Sequence, residues 1–168
     1  TFIRGAAIDS ILDANKKDDN CLKAGALATG AEVKITTIAG YLPLNNNYDL
    51  LEIYKKNLND NFNEKELILD GHSGGSTDMG DISNLIPSIH PYVGGCSGNS
   101  NHSVDMVVDN YDLAILESGR MMAHTIIDLL KNDAEKSKKI IKKFTPKFNK
   151  KRYLELLRSL TNEEEYLS

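Results

Sequence analysis

Ala31-Glu32-Val33-Lys34-Ile35-Thr36-Thr37-Ile38-Ala39, continuing as Gly40-Tyr41-Leu42-Pro43-Leu44-Asn45-Asn46-Asn47, decides the fold. The first nine residues set Val33, Ile35 and Thr37 against Lys34 and Thr36, the period of two of a half-buried strand. The next eight are turn and linker residues, and they mark a domain boundary that divides 1–40 from 41–168. Upstream, Ala7 to Ala28 reads as a helix. Ile8, Ile11 and Leu12 have helical spacing, Leu22, Ala26 and Leu27 resume it after a polar middle, and Gly30 is the stop. Thr1 to Arg4 reads as a strand end. Strand, helix and strand in about forty residues make a compact unit of the α/β class.

Downstream of the linker, Asp49 to Leu58 predicts an amphipathic helix with Leu50, Leu51, Tyr54 and Leu58 on one side. A short strand is expected near Leu67 to Leu69, a glycine-rich polar loop over Gly71 to Asp81, and a strand over Ile86 to Val93. A second loop follows at Gly94 to Asn101. Asp112 to Leu130 gives the strongest helical pattern, with apolar and small residues over much of its surface. Ala134 to Phe144 and Asn149 to Leu160 predict two closing helices that Pro146 separates.

The chain has 168 residues, 40% hydrophobic and 26% charged, which is globular composition and excludes collagen, coiled coil and disorder. No apolar run approaches the roughly 20 residues of a membrane span. Two cysteines, Cys21 and Cys96, build no disulfide framework, so a reducing, cytoplasmic setting is expected. The net charge of −4 is uneven: residues 131–168 hold 11 Lys+Arg against 6 Asp+Glu, and residues 1–130 hold 9 against 18. No aromatic interleaving or nucleic-acid motif accompanies the basic end. It reads as a solvated helical face, with no nucleic acid and no membrane as partner. The opening Thr1-Phe2-Ile3-Arg4, without Met, leads us to expect a piece of a longer polypeptide.

Three places offer chemistry. Gly71-His72-Ser73-Gly74-Gly75 matches the nucleophile elbow of serine hydrolases. The residues that follow are too polar and too broken by glycine for the elbow's helix, and glycine used for backbone freedom explains the stretch better. Of the four histidines, His90 and His124 sit in apolar surroundings and read as structural. His102 follows the loop and precedes Ser103 and Asp105, a position from which an imidazole can reach a metal. One histidine makes no metal site, and on position alone a structural role is favoured. Arg4 is the sole arginine before Arg120. It suits a carboxylate clamp, though a surface ion pair with Asp9 or Glu32 is the simpler expectation.

Several stretches together resemble the C-terminal part of the aminoacylase/carboxypeptidase-type metallo-amidohydrolases, in particular the aminobenzoyl-glutamate hydrolase and dipeptidase branch. They are Gly75-Ser76-Thr77-Asp78-Met79-Gly80-Asp81-Ile82-Ser83 through Pro87 to Ile89-His90-Pro91-Tyr92, His102-Ser103 before the long helix, and the opening Thr1-x-x-Arg4. Ala24 to Ala31 and Gly40-Tyr41-Leu42-Pro43-Leu44 complete the set. The resemblance implies a two-domain fold, an α/β catalytic domain with a pair of divalent metals (zinc or manganese) and a smaller α/β lid that forms a homodimer. Residues 1–40 would end the lid and 41–168 would form the C-terminal part of the catalytic domain. His102 would be a metal ligand, Arg4 would bind a substrate carboxylate, and Ser76, Thr77 and Asp78 would line the cleft. The implied reaction is hydrolysis of a small N-acyl amino acid or dipeptide by metal-activated water. The family's other ligands and its glutamate base have no counterpart in this chain. The 168 residues alone are therefore expected to bind metal weakly and to be inactive. A non-catalytic dimerisation or binding module is the alternative, with a serine hydrolase built on Ser73 behind it.

Overall fold

The computed structural model describes residues 1–61 and 74–166. Helices and small antiparallel sheets are mixed, as the α/β class predicts. The described residues fall into two compact units. One holds 1–45, 74–86 and 145–166, and the other holds 46–61 and 87–144. The expected strand near Leu67 to Leu69 lies outside the described residues, as do His72 and Ser73.

In the first unit, helix α1 (Ile8–Thr29) runs into Gly30, whose φ of 67° only glycine adopts without cost. The Ala31 N–H donates to Ala26 O at 3.0 Å and the Gly30 N–H to Leu27 O at 3.4 Å, the paired bonds of a Schellman stop. Strand β1 (Val33–Thr37) follows with the predicted alternation, Val33, Ile35 and Thr37 half-buried and Lys34 and Thr36 exposed. Its partner comes from the end of the chain. Strand β4 (Asn162–Tyr166) pairs antiparallel with it, Val33 opposite Tyr166 and Thr37 opposite Asn162. Three consecutive glutamates make a poor strand by propensity. Here each carboxylate meets a lysine: Glu163 and Glu165 flank Lys34 at 2.6 and 3.7 Å, and Glu164 reaches Lys23 of α1 at 2.7 Å. Thr1 to Arg4 is not a strand, and β1 pairs with β4 alone among the described residues.

The last three residues of the predicted polar loop open a short helix, α3 (Met79–Leu85). Its polar side chains are satisfied by the linker that lies along it. Asp81 Oδ1 accepts from the Leu42 N–H and Ser83 Oγ from the Asn45 N–H, both at 2.9 Å. Asn84 Nδ2 donates to Pro43 O at 2.9 Å and to Gly80 O at 2.7 Å. Leu42, Gly80, Ser83 and Asn84 are buried together. Helix α5 (Lys150–Leu160) starts at Asn149, whose side chain accepts from the Arg152 N–H. Burial and a hydrogen bond to Asp81 raise the Tyr153 phenol above its ordinary value, so this helix is tied to the same cluster.

In the second unit, Asn47 caps helix α2 (Tyr48–Asn61) by accepting from the Leu50 N–H at 2.9 Å. Tyr54 and Asn57 are its buried positions. The segment predicted as a strand over Ile86 to Val93 forms none, because Pro87 and Pro91 remove ladder donors four residues apart. It is held instead by single bonds, such as Asn47 N–H to Ser88 O at 2.8 Å and His90 N–H to Asn46 Oδ1 at 3.1 Å. Two-residue strands β2 (Cys96–Ser97) and β3 (Val107–Val108) pair antiparallel.

The long helical pattern opens with a π-helical segment, Asp112–Glu117, and continues as α4 (Ser118–Lys143). Helix α4 breaks at Lys131, Asn132, Asp133 and Ala134, the last three left-handed, which is the junction expected between two helices. Before the break, buried Asp128 accepts from Lys131 and from Lys136, the latter at 3.1 Å.

Two outcomes follow. A Cβ on Gly80 would overlap the Leu42 carbonyl oxygen, whereas one on Gly25, in mid-α1, meets nothing. Gly80→Ala is therefore expected to destabilise the chain by about 2 kcal/mol or more, and Gly25→Ala to stabilise it by up to about 1 kcal/mol, in denaturant unfolding. The hydrogen bonds from Lys131 and then Lys136 hold the Asp128 carboxyl below its ordinary 3.8, so its contribution is complete above that value and is lost as pH falls through the lowered one. Asp128→Asn should cost about 1–2 kcal/mol at neutral pH and flatten the acid limb of a stability–pH curve.

Candidate functional site

His102 stands in the loop of the β2–β3 hairpin, exposed, with φ of 68°. Position predicted a loop-to-helix junction; the structure gives a hairpin loop with β3 intervening before the helical segment. Left-handed backbone is uncommon for residues with a Cβ and is several-fold enriched in histidine and asparagine. The loop around His102 is built to hold it. The Ser103 N–H and Oγ both reach Ser100 O, at 3.2 and 2.7 Å, and the Met106 N–H reaches Ser103 O at 3.2 Å. Asp105 Oδ2 accepts from the Asn99 backbone at 3.2 Å and from the Asn99 side chain. The Ser103 hydroxyl and then the Asn99 backbone hold the Asp105 carboxyl below its ordinary value.

The base of the hairpin is fixed as firmly. Gly95, at φ of 97°, accepts from the Asp109 and Asn110 N–H groups at 3.1 and 3.2 Å. A Cβ on Gly95 would stand 2.7 Å from Asn110 O and 2.8 Å from Ala114 N, so only glycine lets the hairpin sit on the start of the π-helical segment. Asn110 caps that segment through Leu113 N–H to Asn110 Oδ1 at 3.0 Å. The imidazole is thus presented to solvent from a short, braced loop.

Arg4 and the Ser76–Asp78 stretch belong to the other unit, and the structure brings them together. Arg4 Nη1 donates to Gly74 O at 3.3 Å, and its guanidinium lies 5.7 Å from the Phe2 ring centroid. The ion pair with Asp9 or Glu32 does not form among the described residues. Ser76 and Asp78 are exposed, and Thr77 is half-buried. Thr77 Oγ1 donates to Asp78 Oδ1 at 3.2 Å and accepts from the Met79 N–H at 3.3 Å, so this hydroxyl also shapes the entry into α3.

Of the histidines read as structural, His124 is half-buried on α4 and His90 lies 5.0 Å from Tyr92, ring to ring. What sequence reasoning missed in the Gly75–Ser83 stretch is the structural use of Asp81, Ser83 and Asn84. The signal available was three side chains able to bond backbone, beside a linker with unpaired N–H groups.

A single imidazole is one ligand. Among the described residues, no group of three or more His, Cys, Asp and Glu could hold a metal ion. His102 fits as a donor, and the described residues do not by themselves fit a complete centre.

Against known proteins, the chain is 30% identical over 137 residues to the Xaa-Arg dipeptidase of Mus musculus, covering 77% of this chain and 32% of that protein. It is 34% identical over 106 residues to the Xaa-Arg dipeptidase of Homo sapiens, covering 61% and 24%. The chain is thus similar to part of two Xaa-Arg dipeptidases. It spans a third or less of the length of these curated relatives. No family model and no solved structure matches it. The coarse resemblance read from the motifs, to hydrolases of the dipeptidase kind, is met by these relatives.

If the imidazole of His102 is kept for function, its removal costs the fold nothing. His102→Gly should leave unfolding stability unchanged or raise it by up to about 1 kcal/mol through relief of the left-handed backbone, whereas His102→Val should lower it.

Proposed function

We propose that this chain is part of a metal-dependent dipeptidase or amidohydrolase that cleaves the amide bond of a dipeptide or small N-acyl amino acid. The similarity to two Xaa-Arg dipeptidases carries the reading, and the exposed imidazole of His102 on its braced hairpin supports it. In this reading His102 is one ligand of a divalent metal pair, zinc or manganese. The remaining ligands and the general base lie in residues of the enzyme beyond the matched third. Residues 1–40 end the lid domain, and 41–168 belong to the catalytic domain. The working enzyme is a cytoplasmic homodimer. No helix among the described residues is long and apolar enough to cross a membrane.

Arg4 takes the substrate's carboxylate. Its planar guanidinium offers paired N–H donors that match a carboxylate's two oxygens, and its one hydrogen bond among the described residues is the long one to Gly74 O. That bond also ties the clamp to the loop bearing Ser76, Thr77 and Asp78, which supply polar contacts beside it. The 168 residues alone hydrolyse nothing, because one imidazole cannot hold two ions.

Calorimetric titration of zinc or manganese into the 168-residue chain should show no tight stoichiometric binding; stoichiometric tight binding would refute the reading. In a longer polypeptide that includes the relatives' unmatched region, dipeptide hydrolysis should be abolished by chelator. His102→Ala should lower metal affinity or turnover by about 10–100-fold or more. Arg4→Ala should raise KM more than it lowers kcat for substrates with a free carboxylate, and Ser73→Ala should leave metal dependence intact.

A further inference from the structure

We propose that Ile115, Leu116, Met122, Ile126, Ile127 and Leu130 form the surface on which the rest of the hydrolase polypeptide packs. The inference rests on the function proposed above and adds where this chain meets the remainder.

Each of these six side chains is 52–63% exposed. They are not scattered. At 3.6 residues per turn Met122, Ile126, Ile127 and Leu130 of α4 fall in an arc of about 140° that runs about 12 Å along the helix, and Ile115 and Leu116 stand in the π-helical segment that leads into it. Gly119 and Ala123 lie within the same arc and are also exposed. No ionisable side chain interrupts it; Arg120 stands at its edge, paired to Glu117 at 2.8 Å. The opposite face of α4 is already covered, with Met121, Thr125 and Asp128 buried. The helix therefore has one covered face and, opposite it, an uncovered apolar stripe. A contiguous exposed apolar stripe of this kind marks a binding face.

The occupant follows from chain length and charge. The mouse relative shares only 32% of its length with this chain, so the relatives carry a further body of polypeptide about twice the size of the shared part. The stripe offers no charge, so the occupant presents an uncharged apolar face. At Gly119 an added Cβ would meet nothing, which leaves room for close approach of a second backbone.

The test places a thiol on the stripe. Ile126→Cys, in a Cys21→Ser/Cys96→Ser background, is reacted with a maleimide in the 168-residue chain and in the longer polypeptide. The expected result is rapid labelling of the chain and labelling about 100-fold slower in the longer polypeptide, where local opening must precede reaction. Equal labelling in a longer polypeptide that binds metal overturns the docking proposal and leaves the function reading standing. Protection that grows with concentration of the 168-residue chain assigns the stripe to a second copy and also overturns it. A longer polypeptide that protects the thiol but binds no metal supports the docking and sinks the function. Ile127→Asp gives an independent measure: helix content of the 168-residue chain stays unchanged by circular dichroism, while the longer polypeptide loses most of its soluble yield. Unimpaired folding of that longer variant overturns the proposal.

Discussion

The contact between Gly80 and the Leu42 carbonyl is the constraint on which the first unit depends. Leu42 to Asn45 belongs to no helix or strand, so its N–H and C=O groups need partners other than a ladder. Helix α3 supplies them from side chains one turn apart, Asp81 and Ser83 as acceptors and Asn84 as donor. That exchange works only at close range, and only a residue without Cβ at position 80 permits the range. Neutral side chain–backbone bonds contribute about 1 kcal/mol each, but leaving such groups buried and unpaired costs more. The cluster therefore acts by excluding other arrangements. It fixes where α3 begins, and with it the turn at Thr77 and Asp78 and the loop that Arg4 touches.

How far the sequence carried the fold depended on where each element's partners lay. Helix α1, its Gly30 stop and the alternation of β1 were legible because period and cap are local signals. Strand β4 was not, since three glutamates argue against a strand until Lys34 and Lys23 are known to face them. Helix α3 was hidden for the same reason, its polar residues pairing with backbone some forty positions away. The strand read over Ile86 to Val93 took apolar content for pairing and gave too little weight to Pro87 and Pro91. Of the site, position alone favoured a structural His102 and an Arg4 in a surface pair. Both were raised as candidates by the family resemblance, and the structure then added an exposed imidazole and a guanidinium on Gly74.

The second unit combines a finished part and an unfinished one. The hairpin is braced: its glycines, the Asn99–Asp105 bonds and the Ser103–Ser100 bond shape the loop on which His102 stands exposed. The helix behind it is the unfinished part, since its stripe from Ile115 to Leu130 meets solvent. Gly95 joins the two, because its carbonyl and its lack of Cβ seat the hairpin on the first turn of the segment that carries Ile115 and Leu116. In the docking proposed above, a body that covers the stripe lies against the same segment on which the hairpin of His102 is seated. In the proposed function, a ligand contributed to a shared metal centre requires this. Its position must be set to within about half an ångström by elements that do not move, and the hydrophobic contact that sets it must lie close enough for error not to accumulate. In that proposal the uncovered helix face and the exposed histidine are one feature: the first determines where the second is delivered.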